Sequence, residues 1–523
     1  MASPDIEEHH PPIITGTNPL TSNLSDVGHL PVEILLQIFT LHSASLMRAP
    51  GASQNRRSLA RIWIAHVCQR WREIALEENK LWSNLLFVTP EITELMLSRA
   101  GSAPLAITMG QVDSTSRAQA LSDILSRHLH RVCSLEIGDI PYTQPDFLHL
   151  LTTPAPILET LALRSKYSGS QMPYRLLDCG NAPALKHLEI INFYIPLYSL
   201  LPIVPTLAYL HLGSKYSSSQ GPPAEALLGS LKLLPLLETL ILENYIPTDH
   251  YPFNAVENPV ECLPLRKLSL RASSTPIHRL LGVIRVPNAS LELVFTNRVG
   301  DEATAAETVS LIVKARKIQG RLALQELATR HLWPERYTSV LEFSFDREAS
   351  GIGSDSSISV ACVEAVHHSL AFWLPAFEEA FVELSTARSI RMESPHWGFP
   401  RRQWKHLGEK MAHVKAITFS PTSGTPGDLF MVLDEGLKSA LPPFPSLSTL
   451  TAECGHILGR DREALASALR NRPDSHRVGT LRVTYSDNKV SRANISALEE
   501  TVPGLKVEWV NECSKRGEDE SDE

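Results

Sequence analysis

One phrase recurs through the middle of the chain and limits what it can fold into. It reads Pro, one residue, Leu, two residues, Leu, one residue, then Leu or Ile. It appears as PILETLAL over 156–163, PALKHLEI over 183–190, PTLAYLHL over 205–212 and PLLETLIL over 235–242. LPLRKLSL, over 263–270, is a variant with its proline shifted by one. The prolines of the four regular copies are separated by 27, 22 and 30 residues. Within each copy apolar and variable positions alternate, as they do in a strand buried on one face. One short strand cannot bury its own leucines, but neighbouring copies stacked side by side bury them together.

Weaker strand candidates follow: SIRME from Ser389, VKAITF from Val414, LSTLT from Leu447, LRVTY from Leu481 and LKVEWV from Leu505. Helical patterns over 302–316, 370–384, 401–411 and 462–470 alternate with them. The expected fold class is therefore α/β over 88–512: a curved parallel sheet with its strands inside and helices on the convex side. The stretch 300–353 breaks the rhythm and reads either as one long repeat or as an insertion.

Residues 25–87 are patterned differently. Ser25 or Asp26 suits a cap, and Pro31 suits the first turn of a helix. Val32, Ile34, Leu35, Leu36, Ile38, Phe39 and Leu41 then follow almost without a break, more apolar surface than one buried stripe needs. A second helix is expected from near Leu59, with Ile64, Val67, Cys68, Trp71, Ile74 and Ala75 sharing one face. Turn-prone residues at 51–55 predict a loop between the two helices. The ends, 1–24 and 513–523, lack apolar periodicity and read as a disordered lead-in and an acidic disordered tail.

The helical region resembles the F-box family. The resemblance is carried by LPVEILLQIF from Leu30, VCQRWREIA from Val67 and the pair Leu81-Trp82. The gap between Phe39 and Val67 is longer than that family's usual spacing. The uneven repeats resemble leucine-rich repeats, and the combination is similar to F-box proteins of basidiomycete fungi. The resemblance implies an all-helical F-box module that binds a Skp-type adaptor and, through it, a cullin. Adaptor contacts would fall on Leu30, Pro31, Ile34, Leu35, Ile38, Val67, Cys68, Trp71, Leu81 and Trp82. By the same resemblance the repeats would hold a protein target.

The residues between the repeat leucines face away from the leucine side. Those expected to contact a target are His187, Glu189, Tyr209, His211 and Lys267 within the strands, with Arg164, Glu243 and Arg271 just past them. Rings, hydroxyls and both charge signs are mixed there, which suits a protein surface better than a polyanion. The net charge of −8 also disfavours a general nucleic-acid partner.

No catalytic constellation is legible, so the chain is not expected to be an enzyme. His9-His10 and His367-His368 lack further ligands at metal spacing. SGIGSDSS from Ser350 lacks a phosphate-binding lysine. RRQWKH over 401–406 reads as a solvated helix face with Trp404 buried. The seven cysteines are scattered and odd in number, without a C-x-x-C pair, as expected of reduced thiols. No run is long and apolar enough for a membrane span. Cytoplasmic or nuclear residence is expected, with no metal, cofactor or membrane partner. The function these features suggest is substrate receptor of a cullin-RING ubiquitin ligase; the alternative is a scaffold acting outside one.

Overall fold

The computed structural model describes residues 30–48, 63–86, 90–112, 115–141, 147–167, 170–171, 181–194, 205–214, 224–246, 259–296, 302–318, 322–331, 339–345, 357–362, 370–392, 399–419, 427–435, 442–452, 462–483 and 489–509. The two terminal segments, the expected loop tip at 51–55, both histidine pairs and the segment from Ser350 lie outside them. The chain divides into two compact units, one of residues 1–110 with 131–136, the other of 111–130 with 137–523.

The first unit opens on helix α1, Val32–Arg48, followed by α2, Gln69–Glu77, and the single turn α3, Asn79–Trp82. Strand β1, Asn84–Leu86, then pairs parallel with β2, Leu105–Met109, across helix α4, Pro90–Ala100. Residues 90–109, counted with the repeats on sequence grounds, thus group with the helical module. Leu35 and Phe39, one turn apart on α1, are fully buried with Ile64, Ile74, Ala75, Leu81, Trp82 and Leu85. Trp82 donates its indole N–H to the Ala75 carbonyl at 2.6 Å, which satisfies the ring's one polar atom inside this core.

The second unit is a mixed α/β array with a large, mainly parallel sheet. Five of its strands are the leucine phrases: β3 Thr160–Ser165, β4 His187–Ile191, β5 Tyr209–Gly213, β6 Thr239–Glu243 and β7 Lys267–Ala272. They lie side by side in chain order, parallel, with Leu161, Leu188, Leu210, Leu240 and Leu268 in one cross-strand row. β8, Ser290–Phe295, continues the ladder.

The expected rhythm then fails for a definite reason. The two sides of β8 are taken by β7 and by a strand further along the chain, so β9, Leu322–His331, is not its neighbour. It forms an antiparallel meander with β10, Ser339–Phe345, and β11, Ser357–Cys362, and it is β11 that lies parallel to β8. β9 pairs instead with β12, Ser389–Met392, and parallel order resumes. Two reversals cancel, so the direction of the ladder survives the excursion. Of the stretch 300–353, residues 302–316 are helix, while 322–331 and 339–345 belong to a three-strand antiparallel insert that 357–362 completes. β13 Ala416–Phe419, β14 Thr449–Ala452, β15 Thr480–Val483 and β16 Lys506–Trp509 complete the ladder at the places the weaker phrases indicated.

The apolar row is unbroken through the insert: Leu291, Ile358, Phe343, Leu327, Ile390, Ile417, Leu450 and Leu481 are cross-strand neighbours and all are buried. Helices cover this side. Phe295 of β8 stacks on Trp373 of α5, Leu370–Ala380, and Phe343 of β10 meets Phe377 of the same helix. Phe419 of β13 meets Phe430 of α6, Gly427–Glu435. The opposite side carries the polar positions, as strand alternation requires.

Candidate functional site

Each unit presents one surface that its own packing does not use. On α1 the buried residues Leu35 and Phe39 point one way. Ile34, Ile38 and Leu41, at i, i+4 and i+7, form an adjoining stripe that is 41%, 38% and 69% exposed. Val32, Trp63, Val67 and Leu76 are exposed as well. A large aliphatic or aromatic residue left in water forgoes roughly 1.5–3 kcal/mol relative to full burial. Seven such residues stand exposed on one small helical module, more than scattered surface apolar residues account for.

The ten residues expected to touch an adaptor divide accordingly. Pro31, Ile34, Ile38, Val67 and Cys68 are exposed, and Leu30 and Trp71 are half-buried. Leu35, Leu81 and Trp82 are core residues, which corrects their expected place on a contact surface. Leu81 and Trp82 close the module from α3, against Ala75. Trp71 leans on Phe39 with ring centroids 4.9 Å apart, so it braces the core from its rim.

The expected continuous second helix is also corrected. Helix stops after Ile64, a turn covers 65–67, and α2 restarts at Gln69 with Cys68 as its cap, its sulfur accepting from the Trp71 N–H at 3.5 Å. The break turns Val67 and Cys68 outward while Ile64, Ile74 and Ala75 stay inside. Arg70 and Arg72 hold the break by donating to the carbonyls of Leu30 (2.7 Å) and Ala65 (2.9 Å).

On the polar side of the second unit, the eight residues singled out for target contact lie on the neighbouring strands β3 to β7. Arg164 and Glu189 form a two-armed ion pair at 2.6 and 2.7 Å. The next strand places His211 between two carboxylates, its Nδ1 3.7 Å from Glu189 and its Nε2 3.7 Å from Glu243. Glu243 is the register partner of Arg271. The result is a row across five strands in which Arg164, His211 and Arg271 alternate with the carboxylates of Glu189 and Glu243. Toward the strand starts, His187 and Tyr209 stack nearly parallel, 3.9 Å between centroids and 7° between planes. Lys267 pairs with Glu292 at 3.3 Å. Arg164 is half-exposed while Glu189 is buried, and a two-armed Arg–carboxylate pair of this kind fixes the geometry of both side chains.

His211 beside it, aided by Arg271, holds the Glu243 carboxyl below its ordinary value against the opposing effect of burial. A folded value below the unfolded one means stability that is complete above the unfolded carboxylate pKa and is lost as pH falls through the folded one. Glu243→Gln should therefore cost most near neutral pH and progressively less on acidification below about pH 5. Because the Glu243 side chain is 41% exposed, the difference at neutral pH should be only a few tenths of a kcal/mol. Denaturant titration of both proteins between pH 7 and pH 3 reads it; a gap that stays constant with pH would contradict the assignment.

Sequence reasoning missed a second line of polar residues. Two positions after Ile190 of β4 and Leu242 of β6 stand Asn192 and Asn244, both with positive φ (64° and 52°). Their side-chain amides donate to the carbonyls of Ser165 and Ser214, one strand back, at 2.8 and 2.9 Å. The shared Leu-x-Asn or Ile-x-Asn spacing was the available signal, since asparagine tolerates the left-handed region. An open polar cleft over the insert, lined by Gln325, Glu326, Glu342, Ser344, Phe345, Ser357 and Ser389, was also missed. It depends on the pairing of β9 to β11, which no local pattern announces.

Trp404 is buried and its basic neighbours lie on the helix Arg401–Lys410. Among the described residues, no group of three or more His, Cys, Asp or Glu side chains is placed to hold a metal ion. None of their helices is long and apolar enough to cross a membrane. Residues 27–88 match the F-box-like domain family. The match spans α1, the break at 65–68, α2 and α3, the segment that carries the exposed stripe. A search of curated proteins found no match to the chain.

Proposed function

We propose that this chain is the target-recognition subunit of a cullin-RING ubiquitin ligase. Its F-box-like domain binds a Skp-type adaptor through Ile34, Ile38, Leu41 and the exposed residues around the 65–68 break. Its second unit, a leucine-rich-repeat type of domain, holds the target on the polar side of the sheet. The exposed stripe on α1, within the segment that matches the F-box-like family, carries this reading. The in-register leucine row and the asparagine links between strands support the repeat assignment. Catalysis in this arrangement is proximity: the receptor raises the effective concentration of target lysines near a charged conjugating enzyme and contributes no side-chain chemistry.

The full chain, tagged and purified from cells that express the ligase components, should retain adaptor and cullin together in stoichiometric amounts. Recovery of the adaptor without cullin would point instead to a scaffold outside the ligase. Recovery of neither would overturn the reading.

A further inference from the structure

The ladder of the second unit ends on β16, and the described residues place no strand beyond it. Its apolar row ends there too. Leu450 and Leu481 are buried, whereas Val507, next in the register, is only half-buried, since one of its sides has no neighbouring strand. Lys506 turns its N–H inward and donates at 2.9 Å to the carbonyl of Gly479, just before β15. In a parallel pair successive residues turn their main-chain groups to opposite sides, so those of Val507 face away from the sheet. An open edge of this kind is a template on which another chain can add a strand.

The edge is not bare. Helix α7, Lys489–Thr501, precedes β16, and its exposed Glu499 reaches forward past the connecting turn. The outward Val507 N–H donates to Glu499 Oε1 at 2.5 Å. The polar side chains of the edge are already engaged, with Glu508 held by Arg482 and Lys506 at 2.9 Å each. What the edge offers a second strand is therefore main chain, and the Glu499 carboxylate sits on it.

We infer that Glu499 guards this edge: by occupying the Val507 amide it keeps a second copy of this chain from adding its own β16 in antiparallel pairing. A second copy fits because the edge is self-complementary about Val507. Across a two-fold axis the two Val507 residues exchange both main-chain hydrogen bonds. The same register sets Lys506 of one copy opposite Glu508 of the other, so no like charges meet. It also continues the apolar row from one copy into the next. The inference does not depend on the receptor function proposed above.

Such a dimer must break two carboxylate–amide bonds, one in each copy. At about tenfold for each, Glu499→Ala should tighten dimerisation about 100-fold. Sedimentation velocity on the full-length chain, from low to high micromolar concentration, reads this. The parent should stay monomeric over the range and Glu499→Ala should become dimeric. Glu499→Gln removes the same charge but keeps an acceptor oxygen, so it should follow the parent; this separates the cap from a mere loss of repulsion on a chain of net charge −8. Adding Val507→Pro to Glu499→Ala removes the outward amide, a change an edge strand tolerates, and should restore the monomer. Hydrogen exchange at the Val507 amide in dilute solution reads the cap directly, slow in the parent and fast in Glu499→Ala. Thermal unfolding checks that each variant keeps the fold. Association of Glu499→Ala no stronger than that of the parent, association of Glu499→Gln as strong as that of Glu499→Ala, a dimer that survives Val507→Pro, or equal exchange at Val507 with and without Glu499 would overturn the inference.

Discussion

A carboxylate placed at Ile34 or Ile38 is expected to lower capture of a Skp-type adaptor by about 100-fold or more, with little change in the stability of the chain. The size follows from burying an unpaired charge in an apolar contact, which costs roughly 3 kcal/mol or more. The small effect on folding follows from exposure: both side chains already meet water in the free chain, and surface substitutions typically stay within about 0.5 kcal/mol. Ile34→Asp and Ile38→Asp, assayed by adaptor binding and by thermal unfolding in parallel, make the comparison. Leu35→Asp would not serve, although the family resemblance places Leu35 among the adaptor contacts. Leu35 has no exposed surface, so a charge there breaks the module itself and would abolish binding for a reason unrelated to contact. Adaptor capture unchanged in both isoleucine variants would remove the stripe from the docking surface.

The second large effect lies far along the chain, at Arg472. Its guanidinium is buried, and its hydrogen bonds run to main-chain oxygens: Nε donates to His476 at 2.8 Å, Nη1 to Pro443 at 3.0 Å and Nη2 to Phe444 at 2.8 Å. Burial pushes its pKa down to about 10, which still leaves it charged at neutral pH. The Pro443 and Phe444 carbonyls belong to the turn before β14, where Phe444 is buried with φ of 49° and packs against Trp404, and the His476 carbonyl to the turn before β15. Gly408 lies under the same turn, where a side chain's first carbon would come within 2.5 Å of the Pro443 side chain. Arg472→Met keeps the bulk of the stem but leaves these acceptors without a donor. A loss of roughly 3 kcal/mol in stability is expected from several unsatisfied buried groups. Arg472→Lys should recover only part of it, since one ammonium cannot reproduce the three-way fork. Denaturant unfolding monitored on the whole chain reads both, and a methionine variant as stable as the parent would show that water replaces the guanidinium at no cost.

Much of the fold was legible, and particular residues show why. In β3 to β7 the leucines are buried and the residues between them face the polar side, because a strand's side chains alternate whatever surrounds it. The helices at 302–316, 401–410 and 462–471 also fall where their patterns put them. The apolar run of α1 was visible, but not its division. Leu35 and Ile34 are equally apolar, and only their packing neighbours decide which is core. Val67 and Cys68 were placed on one face with Ile74 because nothing in the local pattern marks the break that Arg70 and Arg72 stabilise. The insert was illegible for a related reason: β8 and β11 are paired across more than sixty residues of chain, and composition does not encode such a pairing.

The candidate surfaces follow the same division. Alternation alone picked out His187, Glu189, Tyr209 and His211 as neighbours on one side of the sheet. It could not tell that Arg164 closes on Glu189 while His187 stacks on Tyr209. By itself, then, the amino-acid sequence determined the strand phrases, their inward leucines and the presence of an F-box-like segment, since these depend on backbone periods that act over a few residues. The tertiary structure alone decided the strand order around the insert, the buried and bare sides of α1, and the pairing of charges on the sheet. Those depend on which distant surfaces exclude water from one another, and that is settled only when the chain has folded.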